Sequence, residues 1–315
     1  MPEQAARREF AWKLATYLFL LAAVLVTVVP LYWIVVASTL HEEAFLAAGS
    51  APSLMPGTEF LSNFQALQER ASGIRFLKVK PFVLSFAVGG VPVSVTLIPG
   101  FDGFELGFLG AIGNSIFIGV VYTLLSLLLC SMAGFAFAKY EFKYKEPIFY
   151  TILATLVLPI QLLVIPLFLL MSQVGMTNTY WAIVLPWAAN PLGIFLMRQN
   201  MRSIPDALLE SARMDGATEF QLFYRIALPT MKSSLAALAI VLFLFQWNLF
   251  LFPLVILGQD KYTIPVAISD LVGAQRVYYD QIMVAAGLSI IPIFLLFLFL
   301  QKYFVSGILA GSVKE

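Results

Sequence analysis

The residues whose types and spacing invite a chemical reading stand in one polar stretch, Arg198–Lys232, between long uncharged hydrophobic runs. It reads R-Q-N-M-R-S-I-P-D-A-L-L-E-S-A-R-M-D-G-A-T-E-F-Q-L-F-Y-R-I-A-L-P-T-M-K. Carboxylates and cations at this density can make ionic contacts with a partner, or simply meet water. They do not form a reaction centre. The phosphate loop G-x-x-x-x-G-K-[ST] is absent, as are HExxH and GxSxG. One cysteine, Cys130, and one histidine, His41, exclude an intrachain disulfide and leave no Cys/His metal site. Cys130 lies in an apolar run and reads as a small packing residue.

Within the polar stretch, Ser203-Ile204-Pro205-Asp206 has the form of a helix start. Ser203 can cap it, and Pro205 falls early, where a missing N–H does no harm. A helix Pro205–Asp215 then ends at Gly216, which can take the left-handed conformation of a C′ residue. Thr218 with Gln221 three positions on forms a second capping box, opening a helix from about Glu219 to Ala227 that stops before Pro229. Two short helices meeting at a glycine make a compact knob. On pattern alone it is either a docking element or an amphipathic hairpin that links two spans.

The elements that must carry this knob are membrane helices. The chain is 60% hydrophobic and 12% charged, with a mean hydropathy of +0.89, against roughly 25% charged residues in a soluble domain. A net charge of +1 favours neither nucleic acid nor acidic substrates as partners. Spans of roughly 20 apolar residues fit Leu14–Ser38, Ala111–Ala138, two helices within Pro147–Met197, Ser233–Gln259 and Gln281–Gln301. The break inside Pro147–Met197 is expected in Ser172–Thr179, which is rich in glycine and small polar residues. The first run is too long for a cleaved signal, so it reads as a retained anchor despite Arg7-Arg8. Pro81–Phe101 is uncharged too, but its three prolines, three glycines and seven β-branched residues, partly alternating, predict short strands and not a span. With six spans and both termini inside, Lys and Arg divide 13 inside to 6 outside; a seven-span alternative gives 14 to 5. Both arrangements put Arg198–Lys232 in the cytoplasm.

The predicted organisation is a cytoplasmic amino end (1–13), a first transmembrane helix (14–38), an extracytoplasmic insert with β-structure (39–112), a core of five transmembrane helices (113–305) holding the cytoplasmic loop 198–232, and a cytoplasmic tail (306–315). No Asp, Glu, Lys, Arg or His falls within a span. That opposes a proton relay, since such relays place ionisable groups there. An uncharged ion-coupled carrier or a channel stays open as the alternative; a purely structural scaffold gives no reason for the knob. Polar residues in the spans are few: Asn114, Gln161, Asn190, Gln246 and Asn248. They can bond a solute or join helices to one another. Asn190, Gln246 and Asn248 are the candidates for lining a path. Trp187 and Trp247 can stack on a sugar face or pack.

Glu210-Ser211-Ala212, Gly216 and Ile226-Ala227-Leu228-Pro229 resemble the "EAA" loop of ABC importer permeases of the carbohydrate type. The resemblance extends through Gly134–Phe142, Leu158–Leu167, Gly175–Ala182, Pro191–Gln199, Gln246-Trp247-Asn248 and Tyr303–Lys314. It implies an all-α integral membrane protein with the six-helix type I permease fold. It also implies a transport subunit with no catalysis of its own, in a cytoplasmic membrane. The implied partners are an ABC ATPase dimer, a second permease, an extracytoplasmic solute-binding protein and lipid. ATP and Mg would be bound by the ATPase and no cofactor by this chain. The implied coupling residues are Glu210, Ser211, Ala212, Asp215, Gly216, Ile226, Leu228 and Pro229, with Glu210 meeting a basic residue of the ATPase and Gly216 permitting the turn. Ser211 stands where the family usually has Ala; both are small. Arg213 is a weaker contact candidate.

Because the phosphate loop is missing, the chain purified alone in lipid is expected to show background ATP hydrolysis, with activity appearing only when an ATPase subunit is added. Robust turnover by the isolated chain, with contaminants controlled, would refute this.

Overall fold

In a computed structural model, residues 2–46, 53–88, 91–273 and 276–312 are described. Gly89 and Gly90, two of the three glycines of the predicted strand region, and residues 313–315 of the predicted tail lie outside them. Two compact units are present, Met1–Arg70 with Ile268–Ile290, and Ala71–Ala267 with Ile291–Glu315.

Lipid offers no partner to a bare backbone amide, so an apolar chain of this kind closes its hydrogen bonds within helices. The first unit holds α1 (Pro2–Ala37), α2 (Glu43–Leu46) and α3 (Phe60–Arg70). The buried Asn63 side chain donates to Ser38 O at 3.1 Å and Leu40 O at 2.9 Å, tying α3 to the end of α1. Arg70 donates to Gln281 Oε1 at 3.0 Å and lies 3.5 Å over the Tyr278 ring.

The second unit begins with β1 (Arg75–Phe76), β2 (Phe82–Val88), β3 (Val91–Ile98) and β4 (Phe104–Glu105). Pro81–Phe101 holds the short strands expected of it, and they pair antiparallel as β2 and β3, with Phe82 opposite Ile98 and Val88 opposite Val91, while β1 pairs with β4. The expected 39–112 insert is thus divided. Its helical half is bonded to α1, whereas its strands join the core, where Asn114 Nδ2 donates to Arg75 O at 3.0 Å.

The remaining helices follow in order: α4 (Phe108–Lys139), α5 (Lys145–Ala154), α6 (Ile160–Gln173), α7 (Tyr180–Val184), α8 (Pro191–Met201), α9 (Asp206–Met214), α10 (Glu219–Gln221), α11 (Leu228–Thr230), α12 (Lys232–Trp247), α13 (Leu251–Ile256), α14 (Ile264–Asp270), whose end belongs to the first unit, and α15 (Tyr279–Ser312), which begins in the first unit and ends in the second. The last of these overlaps the expected tail, since the helix continues through Ser312.

Among the described residues three unbroken helices are long and apolar enough to cross a membrane: Trp12–Ala37, Phe108–Lys139 and Tyr279–Lys302. The other expected spans are broken. Lys145–Val157 and Ile160–Gln173 meet at 105°, Tyr180–Trp187 and Pro191–Met201 at 46°, and Glu219–Thr230 and Lys232–Trp247 at 83°. Proline causes the first two breaks. Leu158 and Asn190 each precede a proline and are extended, with ψ of 122° and 119°, because the proline ring disfavours helical geometry in the residue before it. The predicted turn at Ser172–Thr179 is present, with Gly175 and Asn178 at positive φ and Thr179 capping α7.

α4 packs closely on α8. A Cβ on Gly134 would fall 2.5 Å from Met197 Cβ and 2.8 Å from the Arg198 amide nitrogen. Gly134→Ala therefore overpacks a helix crossing against backbone and is expected to cost about 1–3 kcal/mol. A lowered unfolding temperature of the purified protein in detergent checks this; an unchanged one contradicts it.

Candidate functional site

The knob is built on a buried side and an open side. Ile204, Leu209, Leu222, Phe223 and Ala227 are buried, and Ala212, Ala217, Ile226 and Leu228 pack half-buried against the same core. Outward stand Leu208, Glu210, Ser211, Met214, Asp215, Gly216 and Phe220, with Met214 88% and Phe220 62% exposed. α9 starts after Pro205, and Asp215 closes it ahead of Gly216, whose φ is +84°. Ser203 does not cap it: its hydroxyl donates to Asn200 O at 2.7 Å, one turn back.

The second half of the knob opens with the predicted capping box. Thr218 N donates to Gln221 Oε1 at 2.8 Å, and Gln221 N to Thr218 Oγ1 at 3.3 Å. It does not stop before Pro229. A π-helical turn over Leu222–Ala227 carries it into α11, which contains Pro229. The wider turn lets the chain remain helical up to a residue with no N–H to give, where an α-helical turn would push the ring into a carbonyl.

Charged groups lock this shape. Arg213 forms a two-pronged pair with Glu219, Nε to Oε1 at 2.9 Å and Nη2 to Oε2 at 3.2 Å. The Tyr140 hydroxyl donates to the same carboxylate. Arg213 and then Tyr140 hold the Glu219 carboxyl below its usual range, and Glu219 in turn raises Arg213. Burial first, and Glu219 second, push the Tyr140 phenol up to about 12. Lys139 reaches Asp206 Oδ1 at 2.7 Å and also donates to Ile204 O, so the Asp206 carboxyl is lowered. Glu210 is different. Among the described residues no hydrogen bond or ion pair engages its carboxylate.

The family model for the binding-protein-dependent transport system inner membrane component matches residues 126–309. The chain belongs to this family. It is a permease subunit of a binding-protein-dependent ABC importer, a membrane transport component and not an enzyme. It is 41% identical over 203 residues to AraQ, an arabinooligosaccharides transport system permease protein of Halalkalibacterium halodurans, covering 64% of this chain and 73% of that one. LacG, a lactose transport system permease protein of Rhizobium radiobacter, is 40% identical over 202 residues, covering 64% and 74%. UgpE, an sn-glycerol-3-phosphate transport system permease protein of Salmonella typhi, is 28% identical over 301 residues, covering 93% and 94%. A bacterial ABC transporter structure involved in the import of the acidic polysaccharide alginate shares the fold, with a TM-score of 0.69 and 19% identity, over 95% of this chain and 98% of that one.

In this permease Glu210, Ser211, Asp215 and Gly216 lie together on the open side of the knob, and Pro229 is exposed. Ala212, Ile226 and Leu228 face the core and support it. Arg213, read from sequence as a contact candidate, is engaged by Glu219 within the chain. The path candidates separate. Asn190 caps α8 through Oδ1, accepting from Gly193 N at 3.1 Å, and its amide donates to the Tyr122 hydroxyl at 3.3 Å. Asn248 is exposed and donates back to Leu244 O at 2.7 Å. Gln246 is buried, and its Oε1 has no partner among the described residues. Trp247 stacks on Phe243 at 5.3 Å, and Trp187 packs edge-on to Phe245 and Phe252. Sequence reasoning missed the roles of Lys139, Tyr140 and Glu219, and it missed the outward Met214 and Phe220. Only the single polar pair ending an apolar helix at 139–140 could have drawn attention to the first two.

Glu219 has a depressed carboxyl pKa, so its contribution is full above its ordinary value and is lost only as pH falls through the lowered one. The lock is therefore insensitive to pH near neutrality. Glu219→Gln removes it at every pH. An exposed pair is worth about 0.2–1 kcal/mol, so amide exchange over residues 213–222 is expected to rise by at most about fivefold. Unchanged exchange in that segment would mean the pair holds nothing.

Proposed function

We propose that this permease, paired with a second homologous permease, forms the membrane pathway of an importer for a sugar or related polyol. Its Glu210–Gly216 knob would dock on a separate ABC ATPase dimer, which binds the ATP and Mg. Six spans, counting each bent pair as one, would place both termini and the knob in the cytoplasm, consistent with the Lys and Arg distribution. ATP-driven closure of the ATPase dimer would turn the paired permeases outward to receive solute from the binding protein, and hydrolysis would reset them.

One observation carries the docking claim. Glu210 is, with Asp215, one of the knob's two exposed carboxylates unengaged among the described residues, near a glycine turn where a Cβ would meet nothing within 4 Å, whereas Asp206 and Glu219 are already paired. Met214 and Phe220 flank it with apolar surface that a partner would cover. The sugar class rests on relatives named for arabinooligosaccharides and lactose transport. Gln246, with its unspent acceptor, is the side chain here best suited to meet a hydroxyl-rich solute.

Glu210→Lys reverses one of these two charges. Gly216→Leu puts a side chain at a positive φ, a strain of roughly 1–2 kcal/mol, and crowds the contact surface. Both variants should insert in the membrane, yet lose co-purifying ATPase or its response to loaded binding protein, with uptake of lactose and arabinooligosaccharide probes falling accordingly. Lys232→Ala, at the loop's edge, should change little. Wild-type assembly and uptake in both central variants would reduce the knob to a connector.

A further inference from the structure

Three groups at the C-terminal end of α4 bind the polar loop at three separate points. The Phe137 carbonyl accepts from Arg198 Nε at 3.2 Å, where the loop begins. Lys139, whose side chain is 4% exposed, pairs with Asp206 at the start of α9 and also donates to Ile204 O. Tyr140 donates to Glu219 at the start of α10, and Glu219 holds Arg213 near the end of α9. Apolar contact runs alongside, with the Phe135 ring 5.6 Å from both Phe223 and Tyr140. Both knob helices are therefore fastened to α4, a helix that precedes them by more than sixty residues, as the separations of 67 and 79 residues for these two pairs show.

The covalent route out of the knob is poor at carrying force. The chain leaves it through a π-helical turn, and Glu219–Thr230 then meets α12 at 83°. A bent joint dissipates an axial push, whereas α4 is a single unbroken helix long enough to cross the membrane. Charge-assisted hydrogen bonds resist separation better than neutral ones, and Lys139 is shielded from water where it makes them.

We propose that α4 is the member the knob drives, and that Lys139 and Tyr140 are the positioning residues that couple the two. This rests on the knob being the ATPase contact. Movement imposed on α9 and α10 reaches α4 through Lys139–Asp206 and Tyr140–Glu219, and α4 conveys it to the opposite membrane face. Neither side chain touches solute or nucleotide.

The test uses the complete importer in nanodiscs, with Cys130 replaced by alanine, cysteine-free partner subunits, and an environment-sensitive fluorophore on Leu109→Cys. Leu109 is exposed at the far end of α4. ATP with Mg is the probe, so no solute need be known. In the parent, nucleotide should shift the fluorophore's emission. In Lys139→Met/Tyr140→Phe the ATPase should co-purify and bind nucleotide normally, while the responding fraction falls by at least about tenfold, the scale of a single charge-assisted bond, because the variant removes more than one. Lys139→Arg with Tyr140 intact should retain the response. A parent with no ATP-driven shift, or a double variant that responds fully, would overturn the proposal. So would loss of ATPase from the double variant, because the contacts would then only maintain the knob's shape. Glu210→Lys, measured in parallel by ATPase co-purification, reports on docking itself and separates failure there from failure of the α4 link.

Discussion

Arg198 is a permanent cation with 2% of its side chain exposed, and a buried charge must be answered where it sits. Three groups answer it. Phe137 O accepts from Nε, the Glu146 carboxylate pairs with the guanidinium, and the Phe149 ring lies 3.8 Å beneath it. Those partners come from α4 and α5, so one side chain on α8 draws three helices together at the loop end of the core. Removing one partner would leave the buried guanidinium less well answered, although Glu146 itself is half-exposed. The approach is possible only because Gly134 offers no Cβ to the backbone around Met197 and Arg198. The polar loop begins at this anchor, and its geometry inherits the anchor's rigidity.

From that fixed start the knob sorts its charges by function. Carboxylates that face the permease are consumed: Asp206 by Lys139, Glu219 by Arg213 and Tyr140. The two that face away, Glu210 and Asp215, have no partner among the described residues. Exposed pairs add little stability individually, so their effect is geometric. They hold two helices of nine and three residues, too short to persist alone, against a buried apolar underside of Leu209, Leu222 and Phe223. The outer surface is left with two carboxylates unpaired among the described residues, Glu210 and Asp215, and three large apolar side chains, Leu208, Met214 and Phe220, a composition suited to a partner and not to solvent alone.

Much of this was legible in the sequence because the signals are local. Thr218 and Gln221 make their capping box, Gly216 takes its positive φ, and the β-branched run from Val83 to Ile98 folds as a hairpin. What escaped depends on distant contacts. Ser203 looked like a cap, yet its hydroxyl turns back to Asn200 and Pro205 holds the capping position. Pro229 looked like a stop, but a π turn absorbs it. Uninterrupted apolar runs looked like straight spans, although hydropathy carries no information about where Leu158 and Asn190, each before a proline, will bend them. Lys139 and Tyr140 meet partners 67 and 79 residues away, a pairing no local pattern encodes.

The bends also decide what the polar span residues are free to do. A helix interrupted inside a membrane leaves backbone groups that must find partners, and Asn190 is spent on this, capping α8 at the 46° break. Asn114 is spent as well, with its amide bonded to Arg75 O and Tyr262 O and its oxygen accepting from Tyr180. Asn248 returns to its own helix. Of these four residues only Gln246 keeps a buried acceptor unanswered among the described residues. A hydroxyl-rich solute needs many hydrogen bonds, because each one left unmade keeps its desolvation cost. Gln246 does not stand alone in this, since Trp187 Nε1 is also buried without a partner among the described residues. Asn114 and Asn190, by contrast, are occupied in holding the bent helices in register.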